Sequence, residues 1–257
     1  MAERTYKSMI VKTEGKLARV TLNRPEALNA MPRDMVLEMD AIAEELERDR
    51  NVRVIAFTGA GRAFSAGIDL KALASGDIRE DYLEPWERFL HRLETMDKLV
   101  LCLLHGYFIG GGLQLALACD IRVATPSAKC GLPAVKEGLI PSMGPWRLAR
   151  HVGLGRAKQL CLLGNLIDGA EAHKIGLVDH LVPEDRAEAE FERLLGDYLA
   201  CAGEAGRATK RYLNASYDLG FDESFALYME LQRQVFAGAD FAEAKAAFTA
   251  KRTPVWR

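Results

Sequence analysis

Apolar and polar residues alternate through the start of the chain. Met9-Ile10-Val11-Lys12 and Leu17-Ala18-Arg19-Val20-Thr21-Leu22 flank Glu14-Gly15, which predicts two strands joined by a tight turn. Asn23-Arg24-Pro25-Glu26 ends this run, because Pro25 has no N–H for a ladder and biases Arg24 away from helix. The period then changes. Met35, Met39, Ile42 and Leu46 follow one another at spacings of four, three and four, while Asp40, Glu44, Glu45, Glu47 and Arg48 take the other face. That pattern predicts an amphipathic helix. A buried strand follows at Val52-Arg53-Val54-Ile55-Ala56-Phe57, ending in the turn Thr58-Gly59-Ala60-Gly61. Leu99–Leu104 predicts another strand, then a helix from Gly111 to Ala118 and a strand at Ile121–Ala124. Buried strands separated by helices predict an α/β architecture with crossover connections. Past Leu148 strand-like runs disappear, apart from Leu177–Val182, and alanine-rich helical patterns take over, with Phe225, Met229, Gln232 and Phe236 on one face. The expected division is an α/β core over 1–195 and a helical region over 196–257, with no internal repeat visible in the sequence.

Composition narrows the function. Of 257 residues, 49% are hydrophobic and 27% charged, which excludes a disordered chain or a disulfide scaffold. Lys+Arg 34 against Asp+Glu 36 leaves a net charge of -2, so no overall basic field exists to hold nucleic acid or an anionic membrane. The five cysteines, Cys102, Cys119, Cys130, Cys161 and Cys201, are odd in number and form no CxxC, as expected for reduced thiols of a cytoplasmic protein. Met1–Lys7 is charged and has no apolar stretch of the secretory kind. Leu99–Ala118 is long enough to cross a bilayer, but His105, Gln114 and Gly110-Gly111-Gly112 interrupt it; strand, glycine turn and helix is the expected reading.

Several familiar chemistries lack an anchor. There is no HExxH, no paired CxxC and no GxSxG, and no metal site is expected. Gly59-Ala60-Gly61 imitates a dinucleotide fingerprint, but Phe64 stands where the third glycine belongs. Two other glycine sites carry more. Ala63-Phe64-Ser65-Ala66-Gly67-Ile68-Asp69-Leu70 follows one buried strand, and His105-Gly106-Tyr107-Phe108-Ile109-Gly110-Gly111-Gly112-Leu113-Gln114 follows the next. Each puts small residues at a strand-to-helix transition, where backbone can approach a ligand. The second opens into a helix whose first amides and dipole favour negative charge ahead of them. Either site alone could serve only tight turns and close packing. Two amides, one from each turn, converging on one oxygen would form an oxyanion hole.

Taken together, these segments resemble the crotonase superfamily, the enoyl-CoA hydratase/isomerase family. The resemblance runs through Asn23–Ala30, Ala63–Leu70, Gly106–Gly112, Leu115–Arg122, Gly138-Leu139-Ile140-Pro141, Gly176–Asp179 and Ala247–Arg252, nearly the whole chain in order. It implies a spiral of ββα repeats, a C-terminal helical region that completes a homotrimer or a dimer of trimers, and fatty-acid metabolism. It also implies a coenzyme A thioester as substrate, with no permanently bound cofactor. Carried over, the backbone amides of Ala66 and Gly111 would hold the thioester oxygen. The backbone of Ala27, Ala66, Gly67, Ile68 and Asp69 would line the adenine and pantetheine path, and Phe248 and Lys251 would reach the nucleotide across a subunit boundary. Asp69 has a capping role as its second reading, and Lys251 that of a solvated helix-end lysine.

The sequence departs from that family where protons move. Family hydratases carry one glutamate in Gly-Gly-Gly-x-Glu, where this chain has Gln114, and another in Pro-Glu-x-x-x-Gly, where it has Ala134. An amide binds by hydrogen bonds but accepts no proton near neutral pH, and alanine does neither. Glu137, three residues beyond Ala134, is the candidate substitute, its other reading being a surface carboxylate. His91, His105 and Tyr107 are further candidates that packing or surface roles would equally explain, and Trp86 and Trp146 could wall an acyl pocket. Gln114 and the Leu132–Gly138 loop also resemble a smaller branch that includes a cofactor-independent dioxygenase acting on dihydroxyphenylacetyl-CoA, whose extra N-terminal helical region this chain lacks. Three outcomes stay open: hydratase/isomerase chemistry, another crotonase reaction (thioester hydrolysis, decarboxylation, C–C cleavage or oxygenation), and an acyl-CoA binder without turnover.

Overall fold

A computed structural model describes residues 2–256. Its main sheet has seven strands in the order β1-β2-β3-β4-β5-β7-β10: β1 Ala2–Thr5, β2 Met9–Glu14, β3 Leu17–Leu22, β4 Val54–Gly59, β5 Leu99–Leu104, β7 Ile121–Ala124 and β10 His180–Leu181. β1, β2 and β3 pair antiparallel, and β3, β4, β5, β7 and β10 are parallel. A second layer contains β6 Tyr107–Ile109, β8 Lys129–Gly131 and β9 Ile167–Asp168. Isolated parallel bridges, Met31 to Ile68 and Ser65 to Phe108, extend that layer back toward the start of the chain. The chain therefore visits the main sheet, crosses to the second layer, and returns through a helix. This is the α/β architecture that the pattern predicts, in the spiral of ββα units that the family resemblance implies.

The helices follow from their apolar faces. α1 Arg33–Arg48 buries Met35, Met39, Ile42 and Leu46, as their spacing requires. The short α2 Leu70–Ala74 leads on to α3 Leu83–Thr95, which buries Trp86, Phe89, Leu90 and Leu93. In α4 Gly111–Ala118 every residue from 112 to 118 is buried, so it shows no amphipathic period. The apolar stretch from 99 thus resolves into β5, β6 and α4, and among the described residues no helix is long and apolar enough to cross a membrane.

The C-terminal half is helical: α5 Gly144–Leu163, α6 Gly169–Lys174, α7 Ala187–Leu199, α8 Gly203–Ser216, α9 Phe221–Ala237 and α10 Ala239–Ala250. α7 covers the open face of the sheet, packing Phe191, Leu194 and Leu195 against Val54, Ala56, Leu101 and Val123. Lys210 of α8 is buried and donates to the carbonyls of Leu93 and Lys98 and to the Asp120 carboxylate.

Two expectations need correction. The strand expected at 52–57 lies at 54–59, because the Val52 amide closes a turn on Asp49 O and the Arg53 amide bonds Lys16 O. The strand expected at 177–182 shrinks to His180–Leu181, because the Leu177 and Val178 amides both close the end of α6 on Ala172 O. In α9 only Leu231 is buried, so the face of Phe225, Met229 and Phe236 meets solvent in the single chain.

One half-buried histidine predicts an acid-side weakness. His151 lies on α5 against the Leu117 carbonyl, 3.3 Å away, and burial, aided by Arg122, lowers its pKa to about 4. In the unfolded chain it takes up a proton near pH 6.5, so between those values only the unfolded state binds it. Stability should therefore fall by roughly 2–3 kcal/mol as pH drops from 6.5 to 4. In His151→Gln, urea unfolding over that window should show a correspondingly shallower pH dependence; an unchanged slope would refute the assignment.

Candidate active site

The site forms where the two glycine turns press together. Gly67 has φ +93, and a Cβ on it would lie 2.5 Å from Ile109 O and 2.9 Å from Gly111 N. Only a residue without a side chain permits that approach. Gly110, with φ 55 and ψ -116, turns the chain from β6 into α4, so that Gly111 becomes the first helical residue. A Cβ on Gly111 would stand 3.6 Å from the Ile68 nitrogen and 3.6 Å from Trp86 Cζ2.

Hydrogen bonding decides which amides are available. The Ala66 N–H, expected to hold the substrate oxygen, donates to Leu28 O at 2.9 Å and is not free for it. The Gly67 N–H donates to Ser65 Oγ at 3.0 Å. In the parallel bridge to Met31, Gly67 O accepts from the Met31 amide at 2.7 Å and the Asp69 amide donates to Met31 O at 3.2 Å. The intervening Ile68 amide points to the opposite side of that strand. Among the described residues neither the Ile68 nor the Gly111 amide has an acceptor. Of positions 66 and 68, only 68 has an amide left without an acceptor beside that of Gly111 among the described residues.

A buried polar frame holds the first turn. Asn29, 0% exposed, accepts from the Arg24 amide at 2.8 Å and donates to Ala60 O at 3.0 Å and Ala63 O at 2.8 Å. Ser65 Oγ donates to Asn29 O at 2.8 Å while receiving the Gly67 amide. Every polar atom of this frame is one that burial would otherwise leave unsatisfied. Asn29 and Ser65 sit inside family-like motifs, yet their spacing alone carries no signal of this pairing. Asp69 caps α2 by accepting from the Lys71 and Ala72 amides, and Arg24 donates to it at 3.3 Å. Its carboxylate is thereby committed to structure.

Gln114 lies one turn along α4 from Gly111 and is 4% exposed. Its Oε1 accepts from Trp86 Nε1 at 3.3 Å, and a Cβ on Gly144 would be 3.1 Å from its Cγ. Ala134 and Glu137 belong to the 3-10 turn Pro133–Glu137, where Ala134 is half-buried and Glu137 exposed. Glu137 makes no hydrogen bond or ion pair to any described residue of the two turns. His91 is exposed beside Glu94, His105 faces Gly61 O at 3.1 Å, and Tyr107 is exposed. Trp146 stacks under the Arg150 guanidinium, 3.6 Å from the ring centroid, which Tyr217 also flanks. Ala27, at the end of the 3-10 turn Pro25–Ala27, stays half-buried beside the Arg24 frame. Phe248 is 87% exposed near the end of α10 and Lys251 caps that helix in the left-handed conformation. α10 packs on α8 and α9, and within one chain neither residue is brought to the glycine turns.

Known proteins resemble this chain in sequence and fold. The sequence model described as enoyl-CoA hydratase/isomerase matches residues 12–257. A short-chain-enoyl-CoA hydratase of Clostridium acetobutylicum is 34% identical over 95% of this chain and 95% of its own length. A crotonyl-CoA hydratase of Syntrophomonas wolfei is 33% identical over 96% of each. Among solved structures, an enoyl-CoA hydratase of Mycobacterium tuberculosis superposes with a TM-score of 0.90 at 31% identity, over 98% of this chain and 99% of that one. One from Bacillus anthracis reaches 0.92 at 28% identity, over 97% and 99%. With the spiral fold, the paired glycine turns and a match across almost all of its length, the chain belongs to the enoyl-CoA hydratase/isomerase family.

Proposed function

We propose that this protein processes acyl-CoA thioesters by stabilising an enolate between the Ile68 and Gly111 amides. The observation that carries the reading is the meeting of two turns, one of them at the start of the buried helix α4, that leaves these two N–H groups without acceptors among the described residues. A thioester oxygen gains negative charge when a nucleophile adds to the conjugated double bond or when a proton leaves the α-carbon. Fixed amide donors that grip the charged form more tightly than the neutral carbonyl lower the barrier by about 3–4 kcal/mol per donor. The substrate is the acyl thioester of coenzyme A, and no resident cofactor or metal takes part. The pantetheine arm runs past the backbone of Ala27 and of residues 66–69, and Phe248 and Lys251 reach the nucleotide of a neighbouring copy.

Gln114 favours a reaction that needs no base at that position, which keeps decarboxylation, thioester hydrolysis and C–C cleavage beside hydration and isomerisation. Glu137 is the carboxylate assigned to proton transfer, entering the pocket from the Pro133–Glu137 turn. Exchange of α-protons of butyryl-CoA with deuterated water should occur and be lost in Glu137→Gln; exchange that survives would remove Glu137 from the reaction.

The oxyanion reading is tested by binding. Butyryl-CoA should bind at least about tenfold more tightly than S-butyl-CoA, the thioether lacking the oxygen. Equal affinities would overturn it. The solvent-facing aromatic stripe of α9 and the exposed Phe248 support a trimer, or a dimer of trimers, as the working form. Light scattering should give three or six copies, and Phe225→Asp should shift the population toward monomer; a monomeric wild type would refute the assembly.

A further inference from the structure

The end of the sheet opposite the glycine turns holds a different kind of surface. β3, β4 and β5 begin in register at Leu17, Val54 and Leu99, and the turns follow their far ends, about 17 Å away along the strands. Beneath those first residues, the β2–β3 turn, the loop after α1, the loop before β5 and the starts of α8 and α10 enclose a cleft of about 880 Å³. Lys16, Arg50, Arg53, Lys98 and Arg207 line it, and among the described residues none of them is ion-paired to a carboxylate. Lys16 donates to Trp256 O, Lys98 to Asp49 O and Val52 O, and Arg53 to Cys201 O, all of them neutral carbonyls. Arg53 Nε is buried without a hydrogen-bond partner, and the Arg50 and Arg207 side chains donate to no described residue.

Five carboxylates line the same cleft, but four of them are already committed. Glu47 is paired with Arg92 at 2.6 Å. Glu204 accepts the Ala239 and Asp240 amides while Asp240 accepts the Glu204 amide, so each carboxylate offsets the N-terminal dipole of the other's helix. Asp49 takes the Asn51 amide, and Asp97 is exposed. The cations, by contrast, keep their charge. Burial lowers the pKa of Lys98, and nearby Arg207 adds to the fall while Asp49 opposes it. Positive charge gathered in a concave surface draws anions, and guanidinium forks match the oxygens of phosphate. We propose that this cleft is a second ligand site, taking a polyphosphate group, free or as part of a nucleotide, on Arg50 and Arg207. Lys16, Arg53 and Lys98 supply the positive field around it. The cleft shares no residue with the glycine turns, so it stands or falls apart from the thioester reading.

The test is calorimetric titration of the whole chain with inorganic pyrophosphate, with and without saturating butyryl-CoA. Pyrophosphate should bind with the same affinity in both cases. The double variant Arg50→Gln, Arg207→Gln should weaken it at least about tenfold, because each arginine removed takes charge-assisted hydrogen bonds with it. A control pair on the exposed side of α5, Arg156→Gln with Lys158→Gln, changes the net charge equally and should leave the affinity within about twofold. If the double variant fails to fold, the exposed Arg50→Gln alone should still cost about threefold. ADP titrated in parallel separates the sources: affinity at or above that of pyrophosphate assigns a nucleotide, and weaker affinity a free polyphosphate. No pyrophosphate binding to the wild type, an equal loss in the control pair, or binding abolished by butyryl-CoA would overturn the proposal. If butyryl-CoA itself does not bind, the thioester reading fails, and the arginine variants still decide the cleft.

Discussion

Gly67→Ala should lower acyl-CoA turnover by about two to three orders of magnitude, the loss seen when one oxyanion donor is displaced. The added methyl would sit 2.5 Å from Ile109 O and 2.9 Å from Gly111 N, both backbone atoms that no side-chain rotation can clear. The φ of +93 adds strain for any residue with a Cβ. Relief requires the two turns to separate, which moves the Ile68 amide away from the Gly111 amide. The same separation loosens the Met31 and Ser65 bridges, so the melting temperature should also fall. Assayed well below its melting temperature, the variant should still fold and still lose catalysis. Turnover within threefold of the wild type would show that the contact between the turns does not shape the catalytic site.

Arg147→Met should destabilise the fold by about 3–5 kcal/mol, the usual cost of removing one partner from a buried ion pair. Arg147 is 3% exposed, with its Nε 2.6 Å from Glu94 Oε1 and its Nη1 2.6 Å from Glu87 Oε2. Methionine fills much of the volume but leaves two half-buried carboxylates facing a space that had held their counter-charge. The triple change Glu87→Gln, Glu94→Gln and Arg147→Met removes those charges together and should recover most of the loss. Urea denaturation of both variants separates the explanations. If the single variant loses less than about 1 kcal/mol, or the triple variant recovers nothing, the clamp acts by packing alone. Because Arg147 joins the helix carrying Trp86 to the helix carrying Gly144, weaker acyl-CoA binding should accompany the loss.

Some of the site was legible before any coordinates. Gly111 was marked by its place at a strand-to-helix turn, and the absence of carboxylates at Gln114 and Ala134 could be seen by inspection of two short motifs. The choice between Ala66 and Ile68 could not, since both are small-turn positions with an identical N–H. Their difference appears only when Leu28 O takes one amide while the bridge to Met31 turns the other outward. The role of Trp86 was equally hidden. It lies 28 residues from Gln114, and nothing in the helix period of α3 distinguishes a packed indole from one that donates. Asn29 was a motif letter until burial showed three of its side-chain bonds spanning two loops.

What the sequence by itself determined is the order of strands and helices, the two glycine turns and the absence of a carboxylate at positions 114 and 134. These depend on local periodicity, on residues lacking a side chain, and on chemical identity. Only the tertiary structure decided which amides stand free, which end of Gln114 is committed, and which apolar helix face is left uncovered. Those properties belong to pairs of residues distant in the chain. A backbone N–H is the same group at every position until a neighbouring strand either accepts it or leaves it for a ligand.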